Sequence, residues 1–232
     1  MPSIEVALRS VRQRIASAEM RFHRASGSVV LLAVSKGKPA SAAREAHRVG
    51  QIDFGESYVQ EAIIKLDELR DLDDLRWHFI GRIQANKTRF IANRFHWVHS
   101  IDRLKIARRL SEQRDSTCAP LSVCLQVNLN PEGGKAGVRP EEAFDLGLRV
   151  AELPRLELRG LMTIAQPMGD IESQRLAFRP LRELLGEFDA RGLRLDTLSM
   201  GMSGDWEAAI AEGSTMVRIG TAIFGPRDPN KP

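Results

Sequence analysis

Cysteine is scarce: the 232 residues include two, Cys118 and Cys124. They are too few and too oddly spaced for a disulfide framework or a zinc site. Cys124 lies inside the apolar run LSVCLQV and reads as a small core residue. Long apolar runs are missing as well, none approaching the roughly 18 residues that span a bilayer. The opening MPSIEVALRSVRQR has no signal-peptide core, so a cytoplasmic protein with no membrane attachment is expected. Nor is there a block of like charge. With 34 basic and 30 acidic residues the formal charge is +4, and no nucleic-acid partner is implied. The basic segment IDRLKIARR carries apolar residues at helical spacing and reads as a solvated helix face. No fixed-period repeat, low-complexity tract or long linker divides the chain. A single domain over residues 1–232 is expected, a length that suits one large core.

What is present is alternation. Ile4, Leu8, Val11, Ile15 and Phe22 recur at helical spacing, predicting a helix over about residues 3–25 that Gly27 stops. Strand-like runs follow at VVLLAVS, IDFGE, RWHFIG, HWVHS, LSVCLQVN, LELRGLM, LDTLSMG and MVRIG. Helical patterns lie between them, among them SAAREAHRVG, SYVQEAIIKLDELR, DRLKIARRLSEQR, PEEAFDLGLRVAEL and residues 172–190. Successive βα units call for a parallel sheet. Eight of them in this length favour closure into an α/β (β/α)8 TIM barrel, over about residues 29–226, rather than an open sheet.

In such a barrel the C-terminal strand ends face the functional mouth. Lys36 stands there, after the apolar run from Leu31 to Val34. An ammonium at the rim of a core either snorkels to water or is held for its amine. After the seventh strand, Gly201, Ser203 and Gly204 open a helix; Ser203 could be a plain cap. Two glycines around a serine also let backbone approach an anion at a helix N-terminus. After the eighth, Arg218 is followed by the small residues Gly220, Thr221 and Ala222. These two loops hold phosphate in many barrels. An amine and a phosphate site fit two chemistries: a Schiff base with a sugar phosphate, as in an aldolase, or a lysine holding pyridoxal 5′-phosphate. Spacing does not choose between them.

His78, near the end of the third strand, is a secondary candidate, with Asn86 and Lys87 following. Met200, Met162 and Ile80 read as barrel lining or as a ligand wall. His96 and His99, three apart on a strand, face opposite sides and make no metal pair.

The segments AVSKGKP, FGESYVQEA, WHFIGRIQANK, VHSIDR, LQVN, GLMTIA and LSMGMSGDWEAAIAEGSTMVRIGTAIFG together resemble the pyridoxal phosphate homeostasis protein family, over about residues 31–225. The resemblance implies the fold-type III barrel of the alanine racemase N-terminal domain, without the racemase's second domain. It implies pyridoxal 5′-phosphate as cofactor, in a Schiff base with Lys36. It further implies phosphate contacts at Ser203, with Gly201 and Gly204, and at Gly220 and Thr221. Arg218 matches the arginine that faces the pyridine nitrogen. Three positions depart from the family's pattern: Ser57, a candidate polar contact to the cofactor, stands where many relatives have asparagine, Arg82 where several have proline, and the loop around Lys135 has a different glycine-rich start.

A non-catalytic binder that buffers the cofactor and passes it to apoenzymes is the expected function. Racemisation needs a second acid/base opposite the lysine, a tyrosine in the racemases. This chain has one tyrosine, Tyr58, in the helix after the second strand and poorly placed for the role. An arginine beside the ring nitrogen also makes the ring a poorer electron sink. The alternatives are an amino-acid racemase or lyase, and a cofactor-free Schiff-base aldolase. With no second domain to pair, a monomer is expected.

Overall fold

The structure, a computed structural model, describes residues 3–130 and 136–226. Helix α1 (Ile4–Arg21) precedes strands β1 (Val30–Val34), β2 (Asp53–Glu56), β3 (Arg76–Phe79), β4 (Trp97–Ile101), β5 (Leu121–Gln126), β6 (Leu156–Met162), β7 (Thr197–Ser199) and β8 (Met216–Ile219). Helices α2 (Ala40–Arg48), α3 (Val59–Glu68), α4 (Thr88–Arg94), α5 (Leu104–Gln113), α6 (Pro140–Ala151), α7 (Ile171–Ala190) and α8 (Trp206–Ala211) join successive strands, and α9 (Thr221–Phe224) follows β8. The strands pair in sequence order and β1 pairs in parallel with β8, so the sheet closes. This is the (β/α)8 barrel that the alternation predicts.

Barrel strands are covered inside by one another's side chains and outside by helices, so they are buried on both faces. Every residue of β2, β5, β7 and β8 is buried accordingly. The helices cover the outside with one apolar face each. On α7 that face is Phe178, Leu181, Leu184 and Phe188. Burying four such side chains contributes on the order of 6–12 kcal/mol, at about 1.5–3 kcal/mol each. That outweighs the roughly 3 kcal/mol cost of a proline inside a helix, which is why α7 runs through Pro180.

Helix α1 starts on the Ser3 side chain, which accepts a hydrogen bond from Val6 N–H. It buries Leu8, Val11 and Ile15 as expected but ends at Arg21, short of the predicted boundary. His23 takes a left-handed backbone there, with φ 55°. Glu19, buried near the end of α1, accepts from the backbone N–H groups of Gly27 (3.0 Å) and Val29 (2.8 Å). One carboxylate thus fixes the entry into β1, and with it the place of Lys36 at the strand's far end. Among the described residues no helix is long and apolar enough to cross a membrane. Lys135 lies outside the described residues.

Candidate functional site

A cavity of about 300 Å³ opens at the C-terminal ends of β1, β3, β7 and β8. Lys36, Lys38 and Arg218 line it, and its described lining includes no carboxylate. Ser203, Gly204, Gly220 and Thr221 line the same cavity, with Ile80 and Met202 as apolar wall. Sequence reasoning put Lys36, Ser203, Gly204, Arg218, Gly220 and Thr221 on one mouth from three separate segments and read Ile80 as lining or wall; the fold brings them together, with Lys38 and Met202 added.

Each arrives there for a local reason. Lys36 sits in the turn that leaves β1, where Lys38 N–H donates to Ser35 C=O at 3.0 Å. Lys38 is itself half-buried, its Nζ donating to the carbonyl of Pro226 at 2.6 Å. After β7, Asp205 accepts from Met202 N–H at 2.6 Å, which folds the loop back and leaves Ser203 and Gly204 exposed at its tip. A Cβ added at Gly204 would meet nothing within 4 Å, so the space beside it is open.

Arg218 projects from β8 and is buried, 5% exposed. Its Nη1 donates to the carbonyl (2.6 Å) and hydroxyl (2.9 Å) of Ser199, and its Nη2 to Thr163 C=O at 2.8 Å. Burial pulls its pKa down to about 10, partly opposed by Asp205. The guanidinium therefore stays charged near neutral pH, clamped in one plane by three acceptors.

Behind Arg218 runs a chain of buried polar groups. His99 Nδ1 lies 2.8 Å from Ser199 Oγ, His99 Nε2 lies 3.0 Å from His78 Nδ1, and His78 Nε2 lies 3.0 Å from Asp53 Oδ1. Burial lowers the pKa of both histidines, that of His99 well below the ordinary value, so both rings are neutral. The partners then assign every proton. A carboxylate only accepts, so His78 carries its proton on Nε2 and accepts at Nδ1 from His99 Nε2–H. His99 accepts at Nδ1 from the Ser199 hydroxyl, whose lone pair is left for Arg218. The direction is single from Arg218 to Asp53, where Arg76 Nη2 also donates at 2.8 Å.

This chain relocates His78. It is fully buried and lines a second cavity at the opposite end of the barrel, with the first residues of several strands: Val30, Asp53, Arg76, Thr197 and Met216. It does not line the mouth. The periodicity of β3 turns its side chain inward, and the stagger of the barrel sets it level with Asp53.

Four further candidates lie outside the cavity lining. Met200 and Met162 are core, 0% and 1% exposed. Gly201 serves packing: its φ is +95°, and an added Cβ would sit 2.9 Å from Trp206 Cα and 2.7 Å from Ala209 Cβ. It lets α8 close on β7 rather than admitting a ligand. Ser57 is half-buried, its carbonyl 2.1 Å from where a Cβ on Gly81 would be. Asn86 and Arg82 are exposed and Lys87 half-buried away from the cavity, and Tyr58 is 47% exposed. His96 precedes β4 and accepts from Trp77 N–H at 3.0 Å. Among the described residues no cluster of three or more His, Cys, Asp or Glu side chains could hold a metal ion.

Sequence reasoning passed over Asp53, Ser199 and Thr163, and weighed His99 only as half of a metal pair. Their signal was polar residues in the strands or, for Thr163, just past one, which gains meaning only once the strands are staggered.

A closed (β/α)8 barrel with a strand-end lysine, a clamped arginine and small residues after β7 and β8 defines the alanine racemase N-terminal class. The profile of that family, "Alanine racemase, N-terminal domain", matches residues 6–228. The chain is 56% identical to the pyridoxal phosphate homeostasis protein of Pseudomonas aeruginosa, over 100% of this chain and 99% of that one. It is 48% identical to the Escherichia coli protein of the same name, over 100% of both. The solved structure of PipY from Synechococcus elongatus with pyridoxal phosphate bound superimposes with a TM-score of 0.85 at 40% identity, covering 96% of this chain and 100% of that chain. The chain belongs to the pyridoxal phosphate homeostasis protein family.

Proposed function

We propose that this chain binds pyridoxal 5′-phosphate through a reversible Schiff base on Lys36, and that it buffers the cofactor rather than turning over a substrate. The observation that carries this reading is one cavity whose described lining has three cations, two of them amines, and no carboxylate. A doubly charged phosphate ester with an aldehyde suits that lining, and about 300 Å³ lies at the small end of ligand sites. PipY, at 40% identity, has been solved with pyridoxal phosphate bound.

When bound, the cofactor supplies an aldehyde carbon and a ring able to accept electrons. Lys36 Nζ would add to that carbon with loss of one water. Ser203 and Thr221, with the backbone at Gly204 and Gly220, would hold the phosphate. Arg218, charged and held by Ser199 and Thr163, would face the ring nitrogen as a donor and keep it unprotonated. Among the described lining residues no carboxylate, histidine or tyrosine stands opposite Lys36 as a second acid/base, and Lys38 is bound to Pro226 C=O. That lining supports holding over racemisation. Since water reverses the linkage, the same site suits release to recipient apoenzymes.

The visible absorbance of purified protein, before and after borohydride reduction, tests the reading in wild type and Lys36→Ala. The expected result is colour only in the wild type, with the trapped adduct on Lys36. An adduct on another residue, or none, would overturn it. Exchange of amino-acid α-protons with solvent by the holoprotein would establish a racemase or lyase instead. Tight binding of a sugar phosphate by a colourless protein would establish the aldolase.

A further inference from the structure

Lys36 is the second residue of a four-residue turn, Ser35 to Lys38, closed by Lys38 N–H to Ser35 C=O at 3.0 Å. Gly37, the third, has φ +73°. A positive φ at that place is the type II pattern, which differs from type I by a flip of the central peptide. Here that peptide joins Lys36 to Gly37. A flip changes ψ of Lys36 by roughly 150° and reverses the directions of Lys36 C=O and Gly37 N–H, with the Lys36 Cα–Cβ bond left nearly in place.

The turn is held on both sides of Lys36 by one face of α3. Gly37 N–H, which belongs to the central peptide, donates to Glu61 Oε1 at 2.6 Å. Ser35 C=O accepts from Lys65 Nζ at 2.7 Å. Lys65 also donates to Glu61 Oε1 at 2.9 Å and to Glu56 Oε1 at 2.5 Å, and the Ser35 hydroxyl donates to Glu56 Oε1 at 2.6 Å. Lys65 is 3% exposed, and its three ammonium protons meet three acceptors. It lines no part of the mouth and is no rival amine.

A buried ion cluster is a weak source of stability, because the desolvation cost can equal or exceed the attraction. Glu56, fully buried, bears that cost: burial raises its pKa despite Lys65 beside it. What the cluster does provide is direction, since flipping the Lys36–Gly37 peptide would break a charge-assisted bond and leave Glu61 facing a carbonyl.

We infer that Glu61 and Lys65 are positioning residues, which pin the turn on both sides of Lys36, at Ser35 C=O and Gly37 N–H, and so hold its backbone where the amine meets an aldehyde in the mouth. This rests on Lys36 being the capturing amine. The bond forms between Lys36 Nζ and the aldehyde carbon, and the oxygen leaves as water. A fixed amine raises the effective concentration for that step alone and does nothing for the grip on phosphate.

Two ligands separate the contributions: pyridoxal 5′-phosphate, and pyridoxine 5′-phosphate, which has an alcohol in place of the aldehyde. Glu61 is half-buried at the start of α3, so Glu61→Ala is expected to fold. It should weaken pyridoxal 5′-phosphate binding by about tenfold or more, the effect of one charge-assisted hydrogen bond, and leave pyridoxine 5′-phosphate unchanged. Glu61→Gln, which keeps an acceptor for Gly37 N–H, should recover most of the loss. Lys65→Met should act like Glu61→Ala, and if it fails to fold the two Glu61 variants decide. Equal loss for both ligands, or no loss for either, would overturn the inference. Lys36→Ala is measured alongside. If it retains the preference for the aldehyde, the reading of Lys36 itself falls; if it abolishes that preference while Glu61→Ala does not, only the positioning role falls.

Discussion

His78 Nδ1 and His99 Nε2 lie 3.0 Å apart in the centre of the barrel, with both rings fully buried. Neither ring touches water, and each needs the other as a partner. Between them they connect a carboxylate at one end of the barrel to the arginine of the mouth at the other.

Replacing His99 with Phe should therefore strand two polar groups at once, His78 Nδ1 and the Ser199 hydroxyl. At about 1–3 kcal/mol for each unsatisfied buried group, the variant should lose roughly 2–6 kcal/mol of stability in urea denaturation. Full wild-type stability would mean that the chain is not formed in solution.

The same chain makes stability depend on pH. The folded-state pKa values of His78, His96 and His99 all lie below the ordinary value of 6.5. Below about pH 6.5 the unfolded chain binds protons that these folded histidines refuse, so stability falls as pH drops through that window. Glu56 and Asp205, with raised values, oppose the trend at lower pH. His99→Phe should remove one proton's share, a slope of about 0.7 kcal/mol per pH unit near pH 6.5 that rises toward about 1.4 roughly a unit lower. Parallel stability–pH curves for wild type and variant would refute the assignment of His99 as buried and neutral.

Arg218→Lys tests the planar clamp. An ammonium cannot reach the Ser199 and Thr163 carbonyls in the fork geometry of a guanidinium, so cofactor retention should fall by at least about tenfold, the loss of one hydrogen bond to a charged group. Ser203→Ala, losing one neutral hydrogen bond at the mouth, should cost about 1 kcal/mol of affinity. Dialysis against buffer with the visible band as readout checks both, and unchanged retention would remove the residue concerned from the site.

Gly201 and Gly204 should respond oppositely to alanine. At Gly201 the added Cβ meets Ala209 and Trp206 within 3 Å on a backbone of positive φ, so the variant should lose on the order of 2–4 kcal/mol from overpacking and backbone strain. Gly204→Ala meets open space and should melt as the wild type does, any change appearing in cofactor affinity alone. A destabilised Gly204→Ala would contradict the open mouth.

The eight strands were legible because each is a local run bounded by local punctuation, and their observed limits fall within two residues of the predicted ones. Helix α4 was less so. TRFIANR is seven residues long and buries only Thr88, Ile91 and Ala92, too short a window for a helical period to register. Helix α9, four residues, is shorter still. Gly201 looked like a ligand-facing glycine because a sequence gives the need for no side chain but not what occupies the space.

Periodicity, glycine placement and the lysine after the first strand are properties of neighbouring residues, so the order of elements and the presence of an amine at the mouth followed from the chain read in line. The polar chain through the barrel did not. Its links join residues 25, 21 and 100 positions apart, and which inward side chains share a level is set by the stagger at which the sheet closes. That stagger is a property of all eight strands together, so tertiary structure alone decided that His78 faces Asp53 and not the mouth.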